Sequence, residues 1–358
     1  MKSFCSLFVA VVAALSCLGA QPRASQIPQP LVFTGVQPQL AKLGHRVYLA
    51  YGQDNVISVL SSRDGGQTFG PAVKLTVPGR VSLGMHRGPR IAATERSVMV
   101  TVVAGAKGGG ADGDLLLYRS TDEGVTFAAP IVINDVPGSP REGLHAAAAT
   151  ADGLAALAWL DLREKGTRIY TAVSRDHGAT WSPDNLAYAS PSGSVCECCH
   201  PSVAINTDAA MAVMFRNNLD GNRDMYVVRS RDWAKLGPPK KSGTGSWKLN
   251  ACPMDGGAMV LDGNDAISVW RRETDVYLAP LGRPEKRLGA GRDPVIDRYD
   301  DDQQDIAWSS PQGVILMRKG GPLTTLGDGR FPAIVSLEHR TVVAWESQGT
   351  VKVLSLAR

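Results

Sequence analysis

Apolar residues occur along this chain in short runs, separated by segments rich in Gly, Pro and charged residues. Short apolar runs bounded by turn residues predict β-strands. The runs recur in one order: a start that contains Pro, an apolar strand, a second strand often carrying Trp, a polar loop, a third strand ending in Ser, a turn and a fourth strand. The pattern therefore predicts an all-β chain of four-stranded repeats.

The second strand of each repeat gives the number of repeats. We expect Trp159, Trp270, Trp308 and Trp345, which fall at equivalent places, to pack between neighbouring repeats rather than to bind ligand. The second strands are predicted at seven places: residues 46–51, 97–103, 154–159, 211–215, 266–270, 305–308 and 341–345.

An eight-residue phrase, Ser-x-Asp-x-Gly-x-Thr-Phe/Trp, occurs three times, at residues 62–69, 120–127 and 174–181. A degenerate fourth copy begins at Ser230. The Asp and Ser side chains can accept backbone N–H groups, and Gly supplies a positive φ. Each phrase should therefore be the turn between a third and a fourth strand, with Asp64, Asp122 and Asp176 in structural roles.

This phrase resembles the Asp-box, or BNR repeat, of sialidase-like β-propellers. The resemblance implies a β-propeller of four-stranded blades, and the count above predicts seven. Six blades, as in known sialidases, remain the alternative if the first sheet is an extra one. The last repeat stops at its third strand, so we expect the strand near residues 31–34 to complete that blade and close the ring.

The N-terminus has the features of a targeting segment. Lys2 precedes an apolar stretch that ends in small residues near Ala20, which predicts a secretory signal peptide over residues 1–20. A weak lipobox before Cys17 makes a lipid anchor the alternative. Residues 21–30 are predicted to be a short tether, and residues 31–358 one propeller domain. The mature protein should be exported, periplasmic or extracellular, and monomeric.

Composition excludes one class of partner. The net charge is +4 over 358 residues, and no basic run is interleaved with aromatic residues. Nucleic acid binding is therefore not indicated. No second apolar stretch is long enough to cross a membrane as a helix.

Charged, His and Cys residues concentrate in the loops predicted on the face opposite the Asp-boxes. These are the loops between second and third strands and those that join consecutive blades. Their convergence near the pore predicts a site for a small anionic molecule or a glycan. The candidate ligand-binding residues are Arg90, Arg141, His145, Arg216, Arg223, Asp224, Arg272, Arg292 and Arg330.

The resemblance also implies a possible activity. Sialidases hold the substrate carboxylate with three arginines and use a Tyr–Glu pair and an Asp acid. Glu142, Asp161 and Asp255 are the carboxylates eligible as acid or base. The family's Arg-Ile-Pro motif near the start of the chain is absent, and no Tyr falls clearly in these loops. The catalytic set therefore remains unassigned.

The cysteines allow two interpretations. Besides Cys5 and Cys17 in the predicted signal peptide, the chain has Cys196, Cys198, Cys199 and Cys252. In an oxidising compartment an even number favours disulfides, for example Cys199–Cys252. Alternatively, thiolate, imidazole and thioether ligands would suit Cu or Zn. That set is Cys196, Cys198, Cys199, His200, Cys252 and Met254, with Met85, His86 and His145 as further candidates.

A second resemblance covers the predicted fourth and fifth blades. Arg216-Asn217-Asn218, followed by Arg223-Asp224-Met225-Tyr226, Trp247 and Cys252-Pro253, is similar to a pattern in exported bacterial proteins labelled sialidase-like. The hypotheses therefore rank as follows: a sialidase-superfamily binding protein for an anionic or glycan ligand, then an exo-sialidase or other glycoside hydrolase, then a copper- or soft-metal-binding protein. No cofactor is required by the first two.

Overall fold

The computed structural model describes Met1 and residues 27–208, 210–233, 235–300 and 304–358. The predicted signal peptide after Met1, including the candidate lipid-attachment residue Cys17, lies outside these residues. Residues 21–26 of the predicted tether lie outside them as well. A search of the described residues for a helix able to span a membrane finds none.

The described chain contains seven antiparallel sheets, arranged as the four-stranded blades of a ring, and no helix. The sheet of blade 2 carries one additional strand of two residues. The first strand of each blade contacts the first strand of the next, so the first strands surround the pore. The strands up to the end of blade 3 are β1 (Leu31–Thr34); in blade 1, β2 (Val36–Leu43), β3 (Arg46–Gln53), β4 (Val56–Ser62) and β5 (Val73–Thr76); then the short β6 (Arg80–Val81); in blade 2, β7 (Arg90–Thr94), β8 (Ser97–Gly105), β9 (Asp114–Ser120) and β10 (Ile131–Val132); and in blade 3, β11 (His145–Ala149), β12 (Ala155–Asp161), β13 (Arg168–Ser174) and β14 (Asn185–Tyr188).

The remaining blades follow the same order. Their strands are, in blade 4, β15 (Ser202–Ile205), β16 (Met211–Arg216), β17 (Met225–Ser230) and β18 (Lys240–Lys241); in blade 5, β19 (Gly257–Asp262), β20 (Asp265–Arg272), β21 (Asp275–Pro280) and β22 (Lys286–Ala290); in blade 6, β23 (Arg292–Arg298), β24 (Gln304–Ser310), β25 (Gly313–Arg318) and β26 (Leu323–Gly327); and in blade 7, β27 (Arg330–Ser336), β28 (Arg340–Ser347) and β29 (Thr350–Ala357).

Strand β1 closes the ring. It pairs antiparallel with β29, from Leu31 opposite Val353 to Thr34 opposite Thr350, and so supplies the fourth strand of blade 7. The edge that β29 would otherwise expose is thereby paired. The seven-blade prediction and the predicted closure are confirmed, and the six-blade alternative is wrong.

The three repeated phrases form nearly identical turns between third and fourth strands. In the first, Gly66 N donates to Ser62 Oγ (2.8 Å), and Thr68 donates to Asp64 through both its N (2.9 Å) and its Oγ1 (2.6 Å). In the degenerate fourth copy Ser230 Oγ again donates to Asp232, and it accepts from Trp233 N, three positions along. The phrase is thus a local hydrogen-bonded unit, as predicted.

These bonds hold the three phrase aspartates ionised. The hydroxyl of the phrase Thr is the largest cause that lowers the pKa of Asp122 and of Asp176 to about 2. Burial works against the shift in Asp64, but the same bonds outweigh it and its pKa is again about 2. A carboxylate that accepts several hydrogen bonds is stabilised in its charged form.

The tryptophans at the ends of second strands are buried between blades, as predicted. Trp308 and Trp345 are 1% and 0% exposed. A Cβ at Gly291 would lie 2.4 Å from Cδ1 of Trp308, and one at Gly329 would lie 2.2 Å from Cδ1 of Trp345. Both glycines also have φ of +150°, so the indoles and the backbone together require glycine there.

Candidate functional site

Blades 6 and 7 begin with the same four-residue pattern, Gly-Arg-x-Pro, at residues 291–294 and 329–332. The third residue has a positive φ in each, +54° at Asp293 and +52° at Phe331, and the strand register shifts immediately afterwards. Such bulges redirect side chains at the end of a strand. Here the backbone brings Arg292, Asp293, Arg330 and Phe331 to one opening.

That opening is a cavity of about 690 Å³ on the face opposite the repeated turns. We call it the arginine cavity, because Arg271, Arg292 and Arg330 come to it from three consecutive blades, 5, 6 and 7. Asp293 and Phe331 line both this cavity and the central pore. The full lining is Met85, Met254, Arg271, Glu273, Thr274, Ala290, Gly291, Arg292, Asp293, Ser309, Ser310, Pro311, Gly329, Arg330 and Phe331.

Arg292 is partly exposed and Arg330 is exposed, and each is oriented by a carboxylate. Arg292 Nε lies 3.2 Å from Asp293 Oδ1, and its NH2 donates to the carbonyl of Met254 (3.1 Å). Arg330 donates to Glu346 Oε1 through NH2 (3.0 Å) and stacks on Phe331 at 4.9 Å. A guanidinium has five N–H donors, so both arginines retain donors for a ligand.

Arg271 is held more deeply than the other two arginines. Its Nε lies 3.0 Å from Asp255 Oδ2, its NH2 donates to the carbonyl of Pro253 (2.8 Å), and the guanidinium packs over Trp247 at 5.1 Å. Arg216 packs over Trp247 as well, at 5.4 Å. Trp247 therefore contacts both an arginine of the cavity wall and an arginine of the interior.

The segment from Arg216 to Pro253 that the sequence singled out forms the junction of blades 4 and 5. Arg216 is buried and donates to three backbone carbonyls, those of Asp255, Arg223 and Arg271, at 3.0, 2.6 and 3.0 Å. Trp247 N donates to Asp224 (2.9 Å). These residues fix the backbone that presents Arg271 and Asp255, so their role here is positional.

Asp255, Asp293 and His86 form a compact group beside the cavity. Their ligand atoms lie within 4.8 Å of one another, with His86 Nε2 2.9 Å from Asp293 Oδ1. Burial, together with the nearby Asp293 carboxylate, raises the pKa of Asp255 to about 6. Burial opposes ionisation of Asp293 too, but His86 and Arg292 outweigh it and bring its pKa to about 2. The pair thus combines one readily protonated and one ionised carboxyl group.

The other predicted ligand-binding arginines lie outside the arginine cavity. Arg272 forms an ion pair with Glu285 and packs over Tyr277, because neighbouring residues of a strand point to opposite faces. Arg90 is buried at the pore, where it donates to the carbonyl of His86 (2.6 Å), and burial lowers its pKa to about 10. Arg141 is exposed, and Arg223 Nε contacts the carbonyl of Leu249 at 3.4 Å.

Four further candidates have internal partners. Asp161 accepts hydrogen bonds from Trp159 Nε1 (2.8 Å) and Arg163 Nε (2.8 Å). Asp224 pairs with Lys241 at 2.9 Å. Glu142 pairs with Arg87 at 3.3 Å through its carboxylate, and its carbonyl accepts from Arg87 Nε. His145 is fully buried, and burial lowers its pKa to about 3. None of the four lines the arginine cavity.

The cysteines are not joined as the favoured interpretation expected. The four described cysteines are free, and the proposed Cys199–Cys252 bond is not formed. The reason is position: Cys252 is exposed, whereas Cys199 is buried with its Sγ 3.2 Å from that of Cys196. Of the remaining predicted soft-metal ligands, His200 packs its ring 4.4 Å from that of His86, and Met254 lines the arginine cavity.

Sequence reasoning did not select Arg271, Asp293 or Phe331 for the site. The sequence favours Arg272 over its neighbour Arg271, because only the strand register shows which of the two side chains faces the cavity. For Asp293 and Phe331 a signal existed: the Gly-x-x-Pro pattern at the start of blades 1, 6 and 7, each with a positive φ at its third position.

Comparisons with known proteins support the fold. No protein-family model matches the chain, and no curated protein matches it. Solved structures do match. The chain is similar to the Hadza microbial sialidase Hz136 (16% identity, TM-score 0.52), covering 90% of this chain and 66% of that one. It is also similar to the α-L-arabinanase of Penicillium chrysogenum (12% identity, TM-score 0.55; 93% and 98% covered).

Two further structures extend the comparison. The intramolecular trans-sialidase of Ruminococcus gnavus matches with 10% identity and a TM-score of 0.54, covering 91% of this chain and 94% of that one. A polysaccharide lyase, an ulvan lyase of family PL25, matches with 10% identity and a TM-score of 0.57, covering 93% and 96%. At these identities the likeness establishes a sialidase-like propeller fold.

Proposed function

We propose that this protein binds an anionic glycan in the arginine cavity. The observation that carries the proposal is that Arg271, Arg292 and Arg330, from three consecutive blades, line one cavity beside the pore. Guanidinium groups pair with carboxylates and other oxyanions through two parallel hydrogen bonds. A volume of about 690 Å³ is within the range of small-ligand sites.

The remaining walls suit a sugar ring. Phe331 offers an aromatic surface, and Met85 is exposed at the rim. Ser310, which is partly exposed, adds a hydroxyl group that can bond to those of a sugar. Apolar surface combined with a few oriented polar groups is typical of ligand pockets. The similar solved structures include proteins named as sialidase, arabinanase and polysaccharide lyase, which agrees with a glycan as the ligand class.

Calorimetric titration with a matched ligand panel tests the proposal. We expect N-acetylneuraminic acid or a glucuronate-containing oligosaccharide to bind, and neutral arabinobiose to bind at least tenfold more weakly. Affinity for the acids should fall as salt is raised, because the arginines are at least partly exposed. Equal affinity for acidic and neutral sugars, or no binding by either class, would reject the assignment.

A glycoside hydrolase is the second candidate function. The Asp255–Asp293 pair favours it, because carboxyl groups whose pKa values are pushed apart serve as acid and base in such enzymes. Asp293 is the member that lines the cavity, and no tyrosine is among the lining residues that the structure describes. Turnover of fluorogenic sialosides or arabinosides that is lost in Asp293→Asn, with ligand binding retained, would establish the enzyme.

Export is part of this proposal. The signal-peptide pattern of residues 1–20 and the alternative of a lipid anchor on Cys17 lead us to place the protein in the periplasm or outside the cell, as a monomer. The mass of the mature protein discriminates among the alternatives: cleavage near Ala20 leaves an unmodified chain, and lipidation adds acyl groups at Cys17. A mature protein that retains residue 1 would contradict export.

A further inference from the structure

Three thiol groups meet in the loop that joins blades 3 and 4. The Sγ atoms of Cys196, Cys198 and Cys199 form a triangle with sides of 3.2 Å (196–199), 3.7 Å (196–198) and 4.0 Å (198–199). Cys196 and Cys199 are 0% and 1% exposed, and Cys198 is partly exposed. We call these three residues the thiol cluster. It is separate from the arginine cavity, which none of them lines.

We propose that the thiol cluster binds one thiophilic metal ion, with Cu(I) as the ion that suits it best. Three thiolates around an ion at about 2.3 Å would have their sulfur atoms about 3.8–4.0 Å apart. Two of the observed sides, 3.7 and 4.0 Å, lie near that spacing, and the third, 3.2 Å between Cys196 and Cys199, would have to lengthen by about 0.6 Å on binding. A disulfide needs about 2.05 Å, so any pair would have to approach by more than about 1 Å.

The number of donors favours Cu(I) over Zn(II). Among the described residues, no fourth His, Cys, Asp or Glu ligand atom joins these three sulfurs in the group whose atoms lie within 4.8 Å of one another. Structural Zn(II) is almost always held by four ligands, whereas soft thiolate ligands also select Cu(I), which accepts three. Cys252 is the fourth cysteine, and it is exposed and outside the group.

The surroundings suit a cluster that carries negative charge when loaded. Three thiolates with one Cu(I) have a net charge of −2. Arg216 is buried nearby, acts on Cys199 through its positive charge, and donates its described hydrogen bonds to uncharged backbone carbonyls. Cys196 N donates to the carbonyl of Arg216 (2.9 Å), which ties the loop to this cation. The partly exposed Cys198 provides the route by which an ion enters.

Binding is a simple exchange of protons for metal. Each thiol that binds releases its proton to the solvent, and no electron is transferred when the ion is supplied as Cu(I). Affinity should therefore rise with pH. The inference does not rest on the glycan proposal, because none of the three thiols lines the arginine cavity, and each can fail without the other.

The test is an anaerobic titration of the reduced full-length mature protein with Cu(I), in competition with bicinchoninate. We expect one equivalent to bind. Cys198→Ser and Cys199→Ser should weaken binding by about 100-fold or more, while the control Cys252→Ser leaves it unchanged. X-ray absorption should find three sulfur neighbours at about 2.3 Å. The partly exposed position of Cys198 makes its variant the one best tolerated by the fold.

Three results would overturn the proposal. The first is no uptake of Cu(I) by the reduced protein. The second is uptake that Cys252→Ser reduces as much as Cys198→Ser does. The third is one bound Zn(II) that Cu(I) cannot displace, since that would require a fourth ligand. Unchanged glycan affinity in Cys198→Ser would show that any loss of metal binding is local.

Discussion

The aspartates on the two faces of this propeller form hydrogen bonds with residues at very different distances along the sequence. On the face with the repeated turns, the Asp64 carboxylate accepts from Gln67 and Thr68, three and four positions away. On the opposite face, Asp293 N donates to Asp255 across 38 positions, and His86 contacts Asp293 across 207. On the first face each turn is thus closed by bonds within its own phrase, with added contacts to neighbouring blades such as that from Ser97 Oγ to the carbonyl of His177. The bonds around Asp293 on the other face form only when distant blades meet in the closed ring.

This difference means that the turn face contributes to the architecture, whereas the ligand face carries the candidate site. A turn that stabilises itself can be lost from a blade without loss of the fold, and blades 5 to 7 have four strands each without the phrase. A network that spans several blades loses several contacts when one member changes. We therefore expect substitutions on the ligand face to have larger and more widely distributed effects than those in the turns.

The largest expected effect is that of Arg216→Met. It would leave the buried carbonyl of Asp255 and the partly buried carbonyls of Arg223 and Arg271 without this donor, at a cost of about 3–5 kcal/mol in the free energy of unfolding. Urea unfolding measures the change. The matched control is Arg283→Met, an exposed arginine between β21 and β22, for which we expect a change within about 0.5 kcal/mol. Equal effects in the two variants would remove the contrast.

A smaller effect is expected from the turns. Ser62→Ala and Ser174→Ala each remove a buried hydroxyl that bridges a Gly N–H and an Asp carboxylate, at about 1–2 kcal/mol. The two turns share no partner, so the double variant should lose the sum of the two effects. Ligand affinity should stay unchanged. Strong non-additivity in unfolding experiments would show that the turns are coupled after all.

The smallest effect is a pH slope of opposite sign for two residues, Asp176 on the turn face and Asp255 on the ligand face. With a pKa of about 2, Asp176 contributes stability that is present above about pH 4 and is lost as the pH falls towards 2. With a pKa of about 6, Asp255 contributes stability that is present below about pH 4 and is lost as the pH rises through 6.

Unfolding experiments between pH 2 and pH 7 check both signs. The stability of Asp255→Asn relative to the wild type should rise as the pH increases from 4 to 6. For Asp176→Asn, the difference from the wild type should change only below pH 4. A pH-independent difference for Asp255→Asn would show that its carboxyl group has an ordinary pKa in the folded protein.

The architecture could be predicted from sequence because its signals are local. The repeated phrase requires only residues within four positions of each other, and the apolar strands repeat in a fixed order. The incomplete last repeat likewise predicted that residues 31–34 would close the ring. Each of these inferences depends on the order of residues and strands along the sequence, and that order can be read without knowing the fold.

The site was only partly predictable, because it depends on register and on distant contacts. Arg292 and Arg330 were found from their place in the correct loops. Choosing Arg271 over Arg272 required knowing which face of β20 each occupies. The pairing of His86 with Asp293 requires the closed ring, and the proximity of Cys199 to Cys196 rather than to Cys252 depends on the path of one loop.

The central proposal is that the arginine cavity is the anion-binding part of the molecule. The most direct test compares Arg292→Ala with Arg283→Ala in calorimetric titrations with N-acetylneuraminic acid and with a glucuronate-containing oligosaccharide. Loss of a charge-assisted contact should weaken binding of the anionic ligand by about 10- to 100-fold in Arg292→Ala, with affinity unchanged in Arg283→Ala. Wild-type affinity in Arg292→Ala, or an equal loss in both variants, would contradict it.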